Sequence, residues 1–262
     1  MNDLPMPVWQ EAGKGPRAVV LLHGIGGGGA ALWSPVLRAL EGFRALAWDM
    51  PGYGASAPLP ALSFPALAQA LARMLDKAGI ERADLVGHSI GGMIAQEFVA
   101  TWPDRVRSLV LYASPPAFGS RDPAFRERFL AARLGPLDAG LGMAAVAEGL
   151  VGSLMGGNAD PGAAPAAIAA MSAVPEASYR AVLDCLTTFD RRADLGRIAC
   201  PTLVLAGEED RTAPFPGLHA MAQAIPGAEL AVVARAGHLA HLEQPNGFNP
   251  VLRRFLESVP QD

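Results

Sequence analysis

At 262 residues the chain is long enough to bury a sizeable core, as one α/β domain or as a core carrying an insertion. Half of it is hydrophobic (51%) and its net charge is only −4, which argues against a nucleic-acid surface. Two cysteines, Cys185 and Cys200, are too few for a disulfide framework and read as free thiols of a cytoplasmic protein. The start, Met1-Asn2-Asp3-Leu4-Pro5, has neither the basic segment nor the apolar run of a signal peptide. The nearest thing to a membrane segment is Ala139 to Gly157, with Glu148 as its one charge. Six of its residues are glycine, so it is not expected to span a bilayer.

In chain order, Arg17 to Leu22 is continuously apolar after its arginine and predicts a buried parallel strand. It runs into the glycine-rich loop His23 to Gly29 and an amphipathic pattern from Ala30 to Leu40. Phe43 to Trp48 predicts the next strand, followed by the turn-rich Asp49 to Ser56. Ser63 can cap a helix with Leu67, Leu71, Met74, Leu75 and Ala78 on one face, stopped by Gly79. Ala83 to Val86 is a strand, the helix after it stops at Trp102-Pro103, and Val106 to Tyr112 is again a strand. Strand and helix alternating at short spacing call for a mostly parallel sheet covered on both faces.

From Ser114-Pro115-Pro116 to about Asp194 no strand is expected. The stretch is alanine-rich, broken by Pro136, Pro161, Pro165 and Pro175, with a helical pattern over Phe125 to Leu134. Eighty strand-free residues inside an α/β chain predict a helical insertion (115–194) between two parts of one core (1–114 and 195–262). The alternation then resumes: strand Pro201 to Ala206, a helix near Leu218 to Ile225, strand Glu229 to Val233, and a last helix over Asn246 to Leu256.

The chemistry centres on Gly87-His88-Ser89-Ile90-Gly91, a Gly-x-Ser-x-Gly between a strand and a helix. A very tight strand-to-helix turn strains its central residue and projects the side chain clear of the sheet. A Cβ at Gly87 or Gly91 would strike neighbouring backbone there. Serine at that point becomes an exposed alcohol at a helix N-terminus, with the Ile90 N–H free to face developing negative charge. A rival motif lies upstream. Gly24 to Gly29 satisfies Gly-x-Gly-x-x-Gly after a strand, and Asp49 sits twenty residues past Gly29, where a dinucleotide-binding protein keeps its ribose acid. A loop with glycine at five of six positions matches many patterns, however, and this reading leaves the serine turn unexplained.

A serine nucleophile needs a base, itself oriented by a third group. Of His23, His88, His219, His238 and His241, His238 lies just after the last strand and would emerge at the carboxyl edge shared with Ser89. His219 falls in a helix, and His241 is a weaker alternative near a helix start. The strand ending at Ala206 is followed by Gly207-Glu208-Glu209-Asp210, three carboxylates of which Glu208 and Glu209 would lie in the turn itself while Asp210 begins the return towards the histidine loop.

Taken in order, His23-Gly24, Asp49 to Ser56, Gly87 to Gly92, Pro201 to Asp210 and Gly237-His238 resemble the α/β-hydrolase superfamily across nearly the whole chain. The resemblance implies Ser89 as nucleophile, Asp210 as acid and His238 as base. It also implies that the backbone N–H groups of Ile25 and Ile90 form the oxyanion hole, and that the insertion is a helical cap. Within the superfamily, Val174 to Ala181 and Phe189 to Leu195 look most like 3-oxoadipate enol-lactonases. The chain differs from them in lacking arginine and tryptophan over Glu148 to Leu154, and in reading His88-Ser89-Ile90 at the turn. The expected protein is a cofactor-independent, metal-free serine hydrolase of a small carboxylic ester or lactone. Met143, Leu150 and Met155 are its candidate substrate-binding residues. Alternatives are carbon–carbon bond hydrolysis of a ring-cleavage dione, an inactive scaffold, or a dinucleotide-binding module.

Overall fold

The computed structural model describes residues 4–119 and 124–260. Residues 1–3 of the N-terminal stretch, 120–123 of the strand-free segment and 261–262 lie outside the described residues. Seven strands form one sheet in the order β1-β3-β2-β4-β5-β6-β7. They are β1 Trp9–Ala12, β2 Ala18–Leu22, β3 Arg44–Trp48, β4 Ala83–His88, β5 Val106–Tyr112, β6 Thr202–Gly207 and β7 Glu229–Val233. All pairings are parallel except that of β1, which runs antiparallel to β3 with Trp9 opposite Trp48. Strand β1 is an addition to the expected set. Its four residues, Trp-Gln-Glu-Ala, carry no apolar run, and β3 holds them at the edge through backbone pairing.

The expected central strands form within a residue or two of their predicted bounds. Strands β2, β4 and β6 are buried along their whole length, as continuous apolar runs between two helical layers should be. Helix α1 (Gly29–Ala39) packs against α10 (Pro245–Ser258), and α2 (Phe64–Lys77) packs against α3 (Ile90–Thr101). Ser63 caps α2, its Oγ accepting from the Ala66 N–H at 3.3 Å, and Gly79 ends the helix in the left-handed conformation at φ 67°.

Between β5 and β6 the described residues form four α-helices, α4 Phe125–Asp138, α5 Gly142–Leu154, α6 Ala163–Ser172 and α7 Glu176–Leu186. The two ends of this segment are stitched together. Ala117 bridges Asp190, the Phe118 N–H donates to Phe189 O at 2.9 Å, and the Arg191 N–H donates to Pro116 O at 2.8 Å. The glycine-rich 139–157 stretch becomes α5 and its flanking turns, burying Met143, Val146, Ala147 and Val151. No helix of the described residues is long and apolar enough to cross a membrane.

Beneath the sheet's amino edge, Arg17 forks onto the fully buried Asp84 at 2.9–3.2 Å and donates to the Leu256 and Val259 carbonyls, while Ser108 Oγ donates to Asp84 at 2.7 Å. This pair joins the start of β2 to β4, β5 and the end of α10. Burial pushes the Asp84 carboxyl up, and the Ser108 hydrogen bond and the Arg17 charge pull it only part of the way back. Arg17→Met leaves that carboxylate buried without its cation and should lower stability by roughly 3–5 kcal/mol in urea denaturation.

Candidate functional site

Strand β4 enters α3 through Ser89, which sits at φ 53°, ψ −122°. This is a left-handed conformation that costs a non-glycine residue ~1–3 kcal/mol. The turn is clamped from both sides. The Ser89 N–H donates to Tyr112 O of β5 at 3.0 Å, and the Gly92 and Met93 N–H groups return to Ser89 O at 3.0 and 3.2 Å. The glycines are required by contact, as their spacing predicts. A Cβ on Gly91 would lie 2.2 Å from Leu22 O, and one on Gly87 would lie 2.4 Å from the Gly92 Cα. Ile90 is the first residue of α3, so its N–H has no partner within the helix.

His238 emerges after β7 and meets the acid at the end of β6. Its Nδ1 lies 2.8 Å from Asp210 Oδ2, and the other oxygen, Oδ1, accepts from the Thr212 and Ala213 N–H groups at 2.7 and 3.0 Å. Burial alone would raise the Asp210 pKa. The adjacent His238 and these hydrogen bonds outweigh it and hold the carboxyl below its ordinary range. Its contribution to stability is therefore present above the unfolded value of about 3.9 and lost as pH falls through the lowered one. An ionised carboxylate can only accept, so His238 carries its proton on Nδ1 and leaves Nε2 as a base. Ser89, His238 and Ile25 line one cavity of about 400 Å³.

The other carboxylates of the acid loop are occupied elsewhere. Glu208 accepts from the Arg235 N–H at 2.8 Å and Glu209 from the Gly157 N–H at 2.7 Å, which leaves Asp210 as the one paired with His238. His219 is exposed and stacks on Phe215. Asp49, the ribose acid of the rival reading, spends both oxygens on the Gly29 and Ala55 N–H groups at 3.0 and 3.1 Å. It ties two loops of the chain together.

Three buried histidines serve as fixtures around the fourth. His23 bridges Gly24 O (2.7 Å) and the Met50 N–H (2.9 Å), fixing the loop that carries Ile25, and burial lowers its pKa to about 4. His88 donates from Nε2 to the His238 carbonyl at 2.9 Å, and the Tyr112 hydroxyl donates to the same carbonyl at 2.9 Å. His241 lies against Trp33 at a tilt of 33° with ring centroids 4.6 Å apart, and burial followed by the nearby His238 lowers its pKa to about 3. All three are held neutral, so none competes for a proton near neutral pH.

Sequence reasoning missed Glu243. Its carboxylate is 1% exposed and accepts three backbone N–H groups: Gly237 and Leu239, which flank His238, at 2.9 Å each, and Gly156 at 2.6 Å. The His238 N–H itself donates to Leu154 O at 2.7 Å. The end of α5 and the histidine loop are thus one hydrogen-bonded unit. The available signal was a glutamate five residues past His238, at the end of the short helical turn Ala240–Glu243. The substrate candidates need correction. Leu150 lines the cavity, but Met143 lies two turns earlier in the buried core. Met155 sits past the helix end on extended backbone, and Val151 and Leu154 line the cavity instead.

Glu243→Gln replaces an acceptor oxygen by an NH₂ that faces N–H donors. An unsatisfied buried donor costs ~1–3 kcal/mol. The variant should show a lowered melting temperature, with faster amide hydrogen exchange concentrated at Gly156, Gly237 and Leu239.

Known proteins are similar to this chain in sequence and in fold. A protein provisionally named the carbamate hydrolase RutD, from Variovorax paradoxus (strain S110), is 34% identical over 97% of each chain. The pimeloyl-[acyl-carrier protein] methyl ester esterase of Serratia marcescens is 30% identical over 95% of this chain and 97% of that one. The crystal structure of the enol-lactonase from Burkholderia xenovorans LB400 superposes with a TM-score of 0.87 over 96% of each chain, at 23% identity, a likeness of fold. The family model described as the alpha/beta hydrolase fold matches residues 17–245, and the chain belongs to that family.

Proposed function

We propose that the protein is a cofactor-independent serine hydrolase of a small carboxylic ester or lactone, with Ser89 as nucleophile, His238 as base and Asp210 as the orienting acid. The observation that carries this reading is the His238–Asp210 pair at 2.8 Å opening onto the cavity lined by the strained Ser89. Ser89 Oγ attacks the acyl carbon while His238 Nε2 takes its proton. His238 then gives that proton to the departing alkoxide, leaving an acyl-enzyme. Water attacks next, its proton passing to Nε2 and on to Ser89 as the acid product leaves. Asp210 keeps the ring in the Nδ1–H tautomer and offsets the charge of the imidazolium.

The Ile25 and Ile90 N–H groups hold the oxyanion in this scheme. Support for Ile25 comes from its surroundings, since His23 fixes the preceding peptide and the Tyr53 hydroxyl donates to Ile25 O at 3.3 Å. Residues 115–194 act as the cap, because Phe129, Leu150, Met171 and Leu186, one from each of α4 to α7, line the cavity with Ser89. The name of the Serratia relative is that of a methyl ester esterase, in keeping with an ester substrate. Cys185 and Cys200 are unpaired, in keeping with a reducing cytoplasm.

Steady-state kinetics on a panel of aryl esters and lactones tests the assignment. Asp210→Asn should retain the fold but lower kcat by ~10⁴, the scale of a misplaced imidazole tautomer. Glu208→Gln and Glu209→Gln should each stay within a few-fold of the parent, since a glutamine oxygen can accept the same single N–H. A dead Glu208→Gln or Glu209→Gln beside an active Asp210→Asn would overturn the choice of acid.

A further inference from the structure

His88 stands inside the turn, directly before Ser89, and its side chain is almost wholly buried. Its Nε2 lies 2.9 Å from His238 O, and a carbonyl only accepts, so the proton sits on Nε2 and Nδ1 carries the lone pair. The Tyr112 hydroxyl donates to the same oxygen at 2.9 Å, so both lone pairs of that carbonyl are taken. His88 ends β4 and Tyr112 ends β5. The backbone of the histidine loop is therefore tied to two neighbouring strands of the sheet, and one of the ties is the residue next to Ser89.

The ring that makes this tie has little room to swing. It stacks on Tyr112 with centroids 4.7 Å apart, and Trp33 meets it at 88° with centroids 6.5 Å apart. On its Nδ1 side the glycine-rich loop backs it closely. A Cβ on Gly24 would lie 2.8 Å from His88 Nδ1 and 3.3 Å from Ser89 Cβ. Nδ1 is buried and has no hydrogen-bond partner among the described residues. An orphaned buried acceptor costs stability, so packing alone would be better served by an apolar ring of similar shape, such as phenylalanine. What the imidazole adds at this place is its Nε2–H.

We propose that His88 is a positioning residue for the reaction, a rigid strut that fixes the backbone of the base, His238, at a set distance from the nucleophile beside it. The inference rests on the reading of Ser89, His238 and Asp210 as nucleophile, base and acid. Asp210 orients the His238 ring, but the place from which that ring starts is set by its backbone, and there His88 and Tyr112 hold the carbonyl. A base moved by about 1 Å loses on the order of 10²-fold in rate, because it no longer meets the attacking hydroxyl in line. Tyr112 shares the task. Removing either donor leaves the carbonyl the other, and removing both leaves it neither.

Steady-state kinetics on p-nitrophenyl butyrate with substitutions at these two positions test this. His88→Phe keeps a ring and loses the donor, His88→Gln restores an N–H at the reach of Nε2, and the amide of His88→Asn is too short to reach. In His88→Phe and His88→Asn, kcat should fall about tenfold, the scale of one hydrogen bond, with KM held within about twofold. His88→Gln should recover most of that loss. Tyr112→Phe should cost a few-fold alone, and together with His88→Phe more than the product of the two single losses, since both donors serve one oxygen. Melting temperatures report that each variant is folded; should His88→Phe not fold, the comparison of His88→Asn with His88→Gln carries the test. A His88→Phe or His88→Asn enzyme with the parent's kcat overturns the proposal and leaves the hydrolase reading standing. A loss carried by KM, or one as large in His88→Gln, overturns it in the same way. A parent that turns over no aryl ester and takes no fluorophosphonate label fails the hydrolase reading and the strut with it.

Discussion

The turn at Ser89 is the constraint on which the site depends. A serine stands at φ 53°, ψ −122° only because the sheet leaves it no alternative. Strand β5 holds its N–H through Tyr112 O, and β2 presses Leu22 O against the α-carbon of Gly91. The strain, ~1–3 kcal/mol, is small beside the burial of β2, β4 and β6 along their full lengths. Those strands therefore do two things at once. They form the core, and they force one alcohol and the N–H of Ile90 out at the carboxyl edge, where a reacting carbonyl can meet both.

The histidine opposite is positioned mainly through its backbone. The N–H of His238 is held by Leu154 O, its carbonyl by His88 and Tyr112, and its flanking amides by Glu243, before its ring meets Asp210. Under the proposed mechanism, pre-organisation of this kind would keep the base in place without reorganisation during reaction. It also joins the wall of the cavity to the chemistry, because Leu154 closes α5 and Glu243 binds Gly156 just beyond it. Among the buried histidines, neutrality follows from desolvation. His23, His88 and His241 lack a carboxylate partner and are pushed below the ordinary imidazole range, whereas Asp210 stands against His238.

Much of this was legible in the sequence because it depends on local pattern. The continuous apolar runs named the central strands, and Gly87-His88-Ser89-Ile90-Gly91 between strand and helix marked the turn. The positions of Asp210 and His238 after strands placed both at one edge. Among Glu208, Glu209 and Asp210, the place of Asp210 just past the turn pointed to it, whereas the N–H groups that occupy the two glutamates lie across the fold and carry no local signal. Strand β1 was invisible because its pairing with β3, not its own residues, makes it a strand. Glu243 was invisible for a related reason: it matters through a partner distant in sequence, Gly156. Met143 does not line the cavity because apolar character in α5 does not say which side of the helix faces it, and Met155 does not because the helix ends at Leu154, one residue before it.

The central claim is that Ser89 is the nucleophile, and covalent labelling with an alkyl fluorophosphonate followed by peptide mapping in a mass spectrometer tests it most directly. One adduct per chain, on Ser89, with labelling and ester turnover both lost in Ser89→Ala, is the predicted result. An adduct on a different serine, or turnover that persists in Ser89→Ala, would contradict it.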